Sequence, residues 1–210
     1  MISGETLDFI IMGVIFGFTA GISPGPLLTL VITETISHNK IAGIKIAVAP
    51  LITDLPIIIG SFLLLSRVYH LNLIMSLISF LGGIFLIYLG FECIRTKGLG
   101  IEITKSRSRS LLKGIVANIL NPHPYLFWIT VGTPIALKAY QINPGTAILY
   151  FVSFYSLLTG SKISVALIVE RSKVFLTNKL YIWIMRILGI VLFIFALLFF
   201  IDCIKNLRTQ

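Results

Sequence analysis

Charge is what this chain has least of. Only 12% of its 210 residues are Asp, Glu, Lys or Arg, about half the roughly 25% of an ordinary soluble domain, and 57% are hydrophobic. A fold working free in water could not bury that much apolar surface. Cysteine is nearly missing as well. Cys93 and Cys203 stand far apart with no C-x-x-C pair and no clustered His partner, so neither a redox pair nor a metal site is signalled. With three histidines and no His-rich tract, the ligands of a transition-metal centre are lacking. There is no phosphate-binding Gly-rich loop with a Lys, no paired-carboxylate motif and no catalytic Ser motif, so direct use of ATP and hydrolytic chemistry are not indicated. The chain reads as a non-enzyme without a cofactor. The short alternating segments of a membrane barrel, about ten residues each, are absent too.

What the chain does have is long apolar runs. Six stretches, near 8–33, 41–66, 71–95, 111–137, 144–170 and 180–204, meet the need of a membrane-crossing helix for about 20 predominantly apolar residues. The first, about Phe9 to Val31, is long and is preceded by acidic Glu5 and Asp8. It therefore reads as a retained helix, not a secretory signal. The expected fold is all-α, a polytopic membrane protein of six transmembrane helices in one domain spanning 1–210.

The net charge of +9 comes mainly from three connections: Lys40 and Lys45; Arg95, Lys97, Lys105, Arg107, Arg109 and Lys113; and Arg171, Lys173 and Lys179. Basic connections stay in the cytoplasm, so both termini are expected on the extracytoplasmic side. The charge then reports orientation and contact with membrane lipid, not nucleic acid. The Lys105–Arg109 run offers a second reading as a contact for anionic head groups.

Ser23-Pro24-Gly25-Pro26 in the first span and Asn121-Pro122-His123-Pro124 in the fourth share one polar-Pro-x-Pro pattern. Three spans separate the two motifs, and an odd number of helices per half inverts one half relative to the other, the plan of many secondary transporters. Repeat one is expected over about 1–96, a cytoplasmic linker over about 97–110 and repeat two over about 111–210. Two prolines so close together should break a helix. Ser23 and Asn121 suit the N-cap and the following proline suits the first helical position, so each motif is expected to open a half-helix whose free N–H groups face a ligand. The plain alternative is a proline kink repaired by neighbouring helices. Gly13, Gly17, Gly21 and Gly25 follow each other at four-residue spacing, which predicts a close helix–helix approach along one face.

Asp54 and Lys162 are the charged residues deepest within their spans, whereas Glu92, Arg95 and Arg186 lie nearer span ends and serve the interface. Asp54 lies mid-span, where an ionised carboxylate is costly unless it meets a partner or a polar cavity, and so marks a functional site, the alternative being a structural ion pair or a protonated acid hydrogen-bonded to backbone. Lys162 is its natural partner, with outward snorkelling as the alternative. His123, inside the second break, reads either as a proton relay or as a locally bonded side chain.

These residues resemble the LysE/RhtB family of amino-acid exporters over nearly the whole chain. Gly21-Ile22-Ser23-Pro24-Gly25-Pro26 looks like that family's Pro-Gly-Pro signature. Gly43 and Asp54 are similar to its Gly-containing loop and Gly-Asp pair, with Thr53 in place of the glycine. Gly114, Asn118, Asn121-Pro122 and Phe127 resemble its Gly, Asn and Asn-Pro-Lys segment, although His123-Pro124 replaces Lys-Ala; this departure points to a divergent branch. The resemblance implies export of an amino acid or similar small metabolite across the plasma membrane in exchange for protons. Ser23, Pro24, Gly25, Pro26, Asn118, Asn121, Pro122, His123 and Phe127 would then bind substrate, and Asp54 and Lys162 would couple it to protons. A homo-oligomer is compatible with this reading. The competing classes are a transporter of another solute or a cation, a membrane thiol-redox protein, and a purely structural membrane subunit.

Overall fold

The computed structural model describes residues 4–23, 25–68, 72–95, 109–171 and 179–208. Among the expectations above, Pro24, Lys97, Lys105, Arg107, Lys173 and nearly all of the 97–110 linker lie outside the described residues. The described residues are helical with no strand. In chain order the helices are α1 (Gly4–Ile22), α2 (Pro26–Ser37), α3 (Lys40–Ala47), α4 (Ala49–Val68), α5 (Asn72–Arg95), α6 (Ser110–Leu120), α7 (Pro122–Phe127), α8 (Thr133–Ile142), α9 (Pro144–Arg171) and α10 (Lys179–Arg208), with a π turn at Trp128–Gly132 joining α7 to α8.

Four stretches of the described residues are long and apolar enough to cross a membrane: Gly4–Ile22, Lys40–Arg67, Leu73–Arg95 and Pro144–Arg171. The second is interrupted by a turn at Val48. Pro50 has no N–H to continue the ladder, and the backbone rejoins it through Leu51 N–H donating to the Val48 carbonyl at 3.1 Å. Two further apolar helices, Pro26–Ser37 and Ser110–Leu120, are shorter.

The surface inverts the soluble pattern. Leu64 is 60% exposed and Trp183 62%, with many other large apolar side chains on the outside, while Asp54, Asn118 and Lys162 are buried. Water would penalise such a surface and hydrocarbon would not.

Close backbone approach organises the interior. α1 lies against α9 through Gly13, Gly17 and Gly21, which face Tyr150, Phe154 and Leu158, as their spacing predicts. Gly25 departs from that stripe: a Cβ there would meet nothing within 4 Å. α5 and α10 pack antiparallel, with Gly90 against Gly189 at one end and Gly82 against Phe199 towards the other. Polar pairs locate the two ends of the bundle. Lys40 at the start of α3 pairs with Glu170 near the end of α9 at 3.2 Å. At the opposite end Thr6 of α1 bonds Thr146 of α9 at 3.1 Å, and Lys138 of α8 pairs with Asp202 of α10. The first residues of α1 and the last turns of α10 therefore share one end.

Candidate functional site

Both proline motifs interrupt their helices. In the first, the α1 ladder runs on to Ser23, whose N–H donates to the Thr19 carbonyl at 2.9 Å. Ser23 was expected to cap the second half-helix, and the structure corrects this: Gly25 is the N-cap of α2, in extended backbone, and no side chain caps it. Pro26, not Pro24, takes the first helical position, so the cap moves two residues along and Ser23 finishes α1. In the second motif Asn121 does both jobs. Its N–H closes α6 onto the Asn118 carbonyl at 3.2 Å, and its side-chain oxygen accepts from His123 N–H at 3.1 Å, capping α7 with Pro122 at the first position. Asn121→Ala is expected to cost about 0.5–2 kcal/mol through loss of this cap, read as a lowered unfolding midpoint of the purified protein in detergent.

Further along the chain, Thr133 N–H reaches back five residues to the Trp128 carbonyl. Pro134 explains this widened turn, because its ring would clash with the carbonyl four residues earlier, that of Thr130, and it has no N–H to give. Single π turns of this kind often sit at functional sites. Trp128 stands at its start.

Asp54 is 4% exposed and is held by side chains from three elements. Asn118 Nδ2 donates to its Oδ1 at 2.7 Å and also to Thr53 Oγ1 at 2.6 Å. Trp128 Nε1 and Tyr155 OH each donate to its Oδ2 at 3.3 Å. A buried carboxylate needs several such donors to remain in a low-dielectric site.

Lys162, 3% exposed, neither snorkels nor forms the expected ion pair with Asp54. Its ammonium donates to the carbonyls of Ala20 at 2.9 Å and Gly21 at 2.8 Å. The broken helix explains this choice. Ending α1 at Ile22 strips its last carbonyls of partners and leaves partial negative charge at that terminus. A cation from α9, brought close by the glycine stripe, fills both needs. One of its three N–H donors remains.

These groups meet at one cavity of about 120 Å³. Ser23, Gly25, Asp54, Asn118, Asn121, His123, Phe127 and Lys162 all line it; Pro26 and Pro122, inside their helices, do not. His123 stands edge-on to Tyr88 at 5.7 Å and to Phe85 at 6.2 Å between ring centres. Phe127 stacks on Phe154 at 5.3 Å. The site thus combines a carboxylate, an ammonium and an aromatic wall in a space far below the roughly 300–1,000 Å³ of drug-sized sites.

The profile of the LysE type translocators matches residues 18–203, which include both helix breaks, Asp54 and Lys162. The chain belongs to the LysE type translocator family. No curated protein and no solved structure matches it. The family and the four apolar stretches together make it a multi-pass membrane protein that moves amino acids or similar solutes.

Sequence reasoning missed three important side chains of this translocator. Trp128 and Tyr155 carried a usable signal: in membrane helices such residues gather at the interfaces, whereas both lie deep within apolar runs, where the N–H and O–H need a partner. Glu34, buried near the end of α2, is the third. It accepts from Ser110 Oγ at 2.7 Å and pairs with Lys113, tying α2 to the first turn of α6. His38 Nδ1 stands 3.6 Å from the same carboxylate. Acidic residues number only eight with Asp in this chain, so a Glu closing an apolar half-helix was itself the clue.

Proposed function

We propose that this LysE type translocator exports an amino acid or similarly small zwitterion from the cytoplasm across the plasma membrane in exchange for protons. The observation that carries the reading is the meeting of both helix breaks, Asp54 and Lys162 on a single small cavity. A zwitterion complements that set. Its carboxylate fits the remaining Lys162 N–H and the free backbone donors at the start of α2, and its ammonium fits the buried Asp54 carboxylate as a charge-assisted partner. Asp54 is the group that takes up the returning proton, with His123 beside the path.

In this reading α1 with α2, α3 with α4, α5, α6 through α8, α9 and α10 form the six spans. They divide into inverted halves of about 1–96 and 111–210 joined by a cytoplasmic linker. The three basic connections face the cytoplasm and both termini face out, supported by the placement of Lys and Arg. Alternating access then works by rocking of the halves about the shared cavity.

Inside-out vesicles test the reading. Amino acids screened one at a time should include at least one whose uptake rises when the vesicle interior is made acid. Lys162→Met should raise its KM about tenfold or more, as expected when a buried charged partner is truncated. Uptake that ignores the proton gradient would remove the exchange. Uptake of no amino acid by a correctly inserted protein would remove the substrate class.

A further inference from the structure

A second cavity, of about 180 Å³, lies between α1, α5, α8 and α10, near the end of the bundle that holds the first residues of α1. We propose that it is an outer binding site for the same class of zwitterion, a station on the exit route, separated from the central cavity by the rings of Phe16 and Phe195. The substrate class and the outward orientation rest on the export reading above; the cavity and the ring barrier do not.

The lining is apolar apart from Ser79 and one ion pair, Lys138 with Asp202. Lys138 Nζ stands 2.6 Å from Asp202 Oδ2, the side chains are 40% and 32% exposed, and Ser79 Oγ donates to the same oxygen at 3.4 Å. Where water reaches it at the end of the bundle, a pair this exposed contributes little to stability. A zwitterion can open it without leaving either charge unpaired. Its carboxylate takes Lys138 and its ammonium takes Asp202, one ion pair being exchanged for two.

Position along α1 links this cavity to the central one. Phe9 and Met12 line the outer cavity, Phe16, Thr19 and Ser23 the central one, and spacings of three and four keep them on one helix face. From Phe9 to Ser23 is about 21 Å by helical rise, a large part of the roughly 30 Å hydrocarbon thickness. α10 repeats the order, with Leu192 on the central cavity and Phe195 and Asp202 on the outer one. Where the two meet, the Phe16 ring is 4.8 Å from that of Phe195 and 5.9 Å from that of Phe127, centre to centre. In this proposal rotation of the Phe16 side chain opens the barrier between the cavities.

Cysteine accessibility in intact cells tests the proposal, in a background carrying Cys93→Ser and Cys203→Ser. An impermeant methanethiosulfonate reagent applied outside should modify Met12→Cys about tenfold or more faster than Thr19→Cys, a barrier of about 1.4 kcal/mol or more. Adding Phe16→Ala should bring Thr19→Cys up to the Met12→Cys rate. An equimolar mixture of the common amino acids without cysteine, whose thiol would consume the reagent, should slow modification of Met12→Cys, whereas acetate or ethylammonium alone at equal concentration should do so less. Lys138→Met should weaken that protection by about threefold to tenfold, and Lys138→Arg should retain it. Protection needs no transport, so it can succeed where the export reading fails, and fail where vesicle uptake succeeds. Equal rates at Met12→Cys and Thr19→Cys with Phe16 intact would overturn the barrier. Absence of protection by the mixture, or protection unchanged in Lys138→Met, would overturn the site.

Discussion

Asp54→Asn should reduce transport to the vesicle background while the protein still reaches the membrane. The amide keeps the shape of the side chain and removes both the charge and the titratable proton. It also brings an NH2 group into a site where Asn118, Trp128 and Tyr155 all donate to Asp54, and neither the Asn118 amide N–H nor the Trp128 indole N–H can accept in return. One buried donor then loses its acceptor, at a cost of about 1–3 kcal/mol, too little to prevent insertion of an otherwise intact helix bundle. Substrate-driven proton movement, followed with a pH-sensitive dye in proteoliposomes, separates the two effects. Normal coupled movement in this variant would end the role assigned to Asp54. Binding retained without proton movement would place the carboxylate in coupling, not in substrate recognition.

Gly17→Ala should be the most damaging single methyl group in the molecule. Its Cβ would lie 2.9 Å from the Phe154 carbonyl carbon and closer still to that carbonyl's oxygen. These are backbone atoms of α9, so no side-chain rotation relieves the clash and the two helices must separate. Overpacking of this kind costs about 1–3 kcal/mol and sometimes more; here the upper end is expected, since separation also draws Lys162 away from the α1 carbonyls. Gly25→Ala is the matched control. Nothing stands within 4 Å of its Cβ, and the backbone there is extended, so the penalty is limited to a weaker N-cap, under about 1 kcal/mol. Unfolding midpoints and size-exclusion profiles in detergent should separate the two variants clearly. Equal stability would mean that α1 and α9 do not pack through the glycine stripe.

The parts of the site legible in the sequence were those set by local covalent chemistry. Proline cannot continue a helix ladder, so the breaks at Ser23–Pro26 and Asn121–Pro124 could be read before any fold was known, and Asn121 caps α7 as its side chain allows. The π turn at Trp128–Gly132 was not read, although Pro134 causes it, because a proline can end, kink or widen a helix and only the surrounding packing selects among these. The Ser23 cap failed for a related reason. With two prolines available, either could take the first helical position, and the one chosen depended on where α1 stopped.

Composition and spacing by themselves determined that the chain is helical and apolar, where its polar groups interrupt the apolar runs, and which face of α1 lies close to another helix. Each of these follows from properties of neighbouring residues: hydropathy over about 20 positions, the missing proline N–H, glycines one turn apart. Only the tertiary structure decided who meets whom. Lys162 and Gly21 are 141 residues apart, and Asp54 reaches Asn118, Trp128 and Tyr155 across 64, 74 and 101. A buried ammonium goes to the strongest acceptors within reach, and those were carbonyls freed by the break in α1, which became its neighbours only when the glycine face of α1 packed on α9.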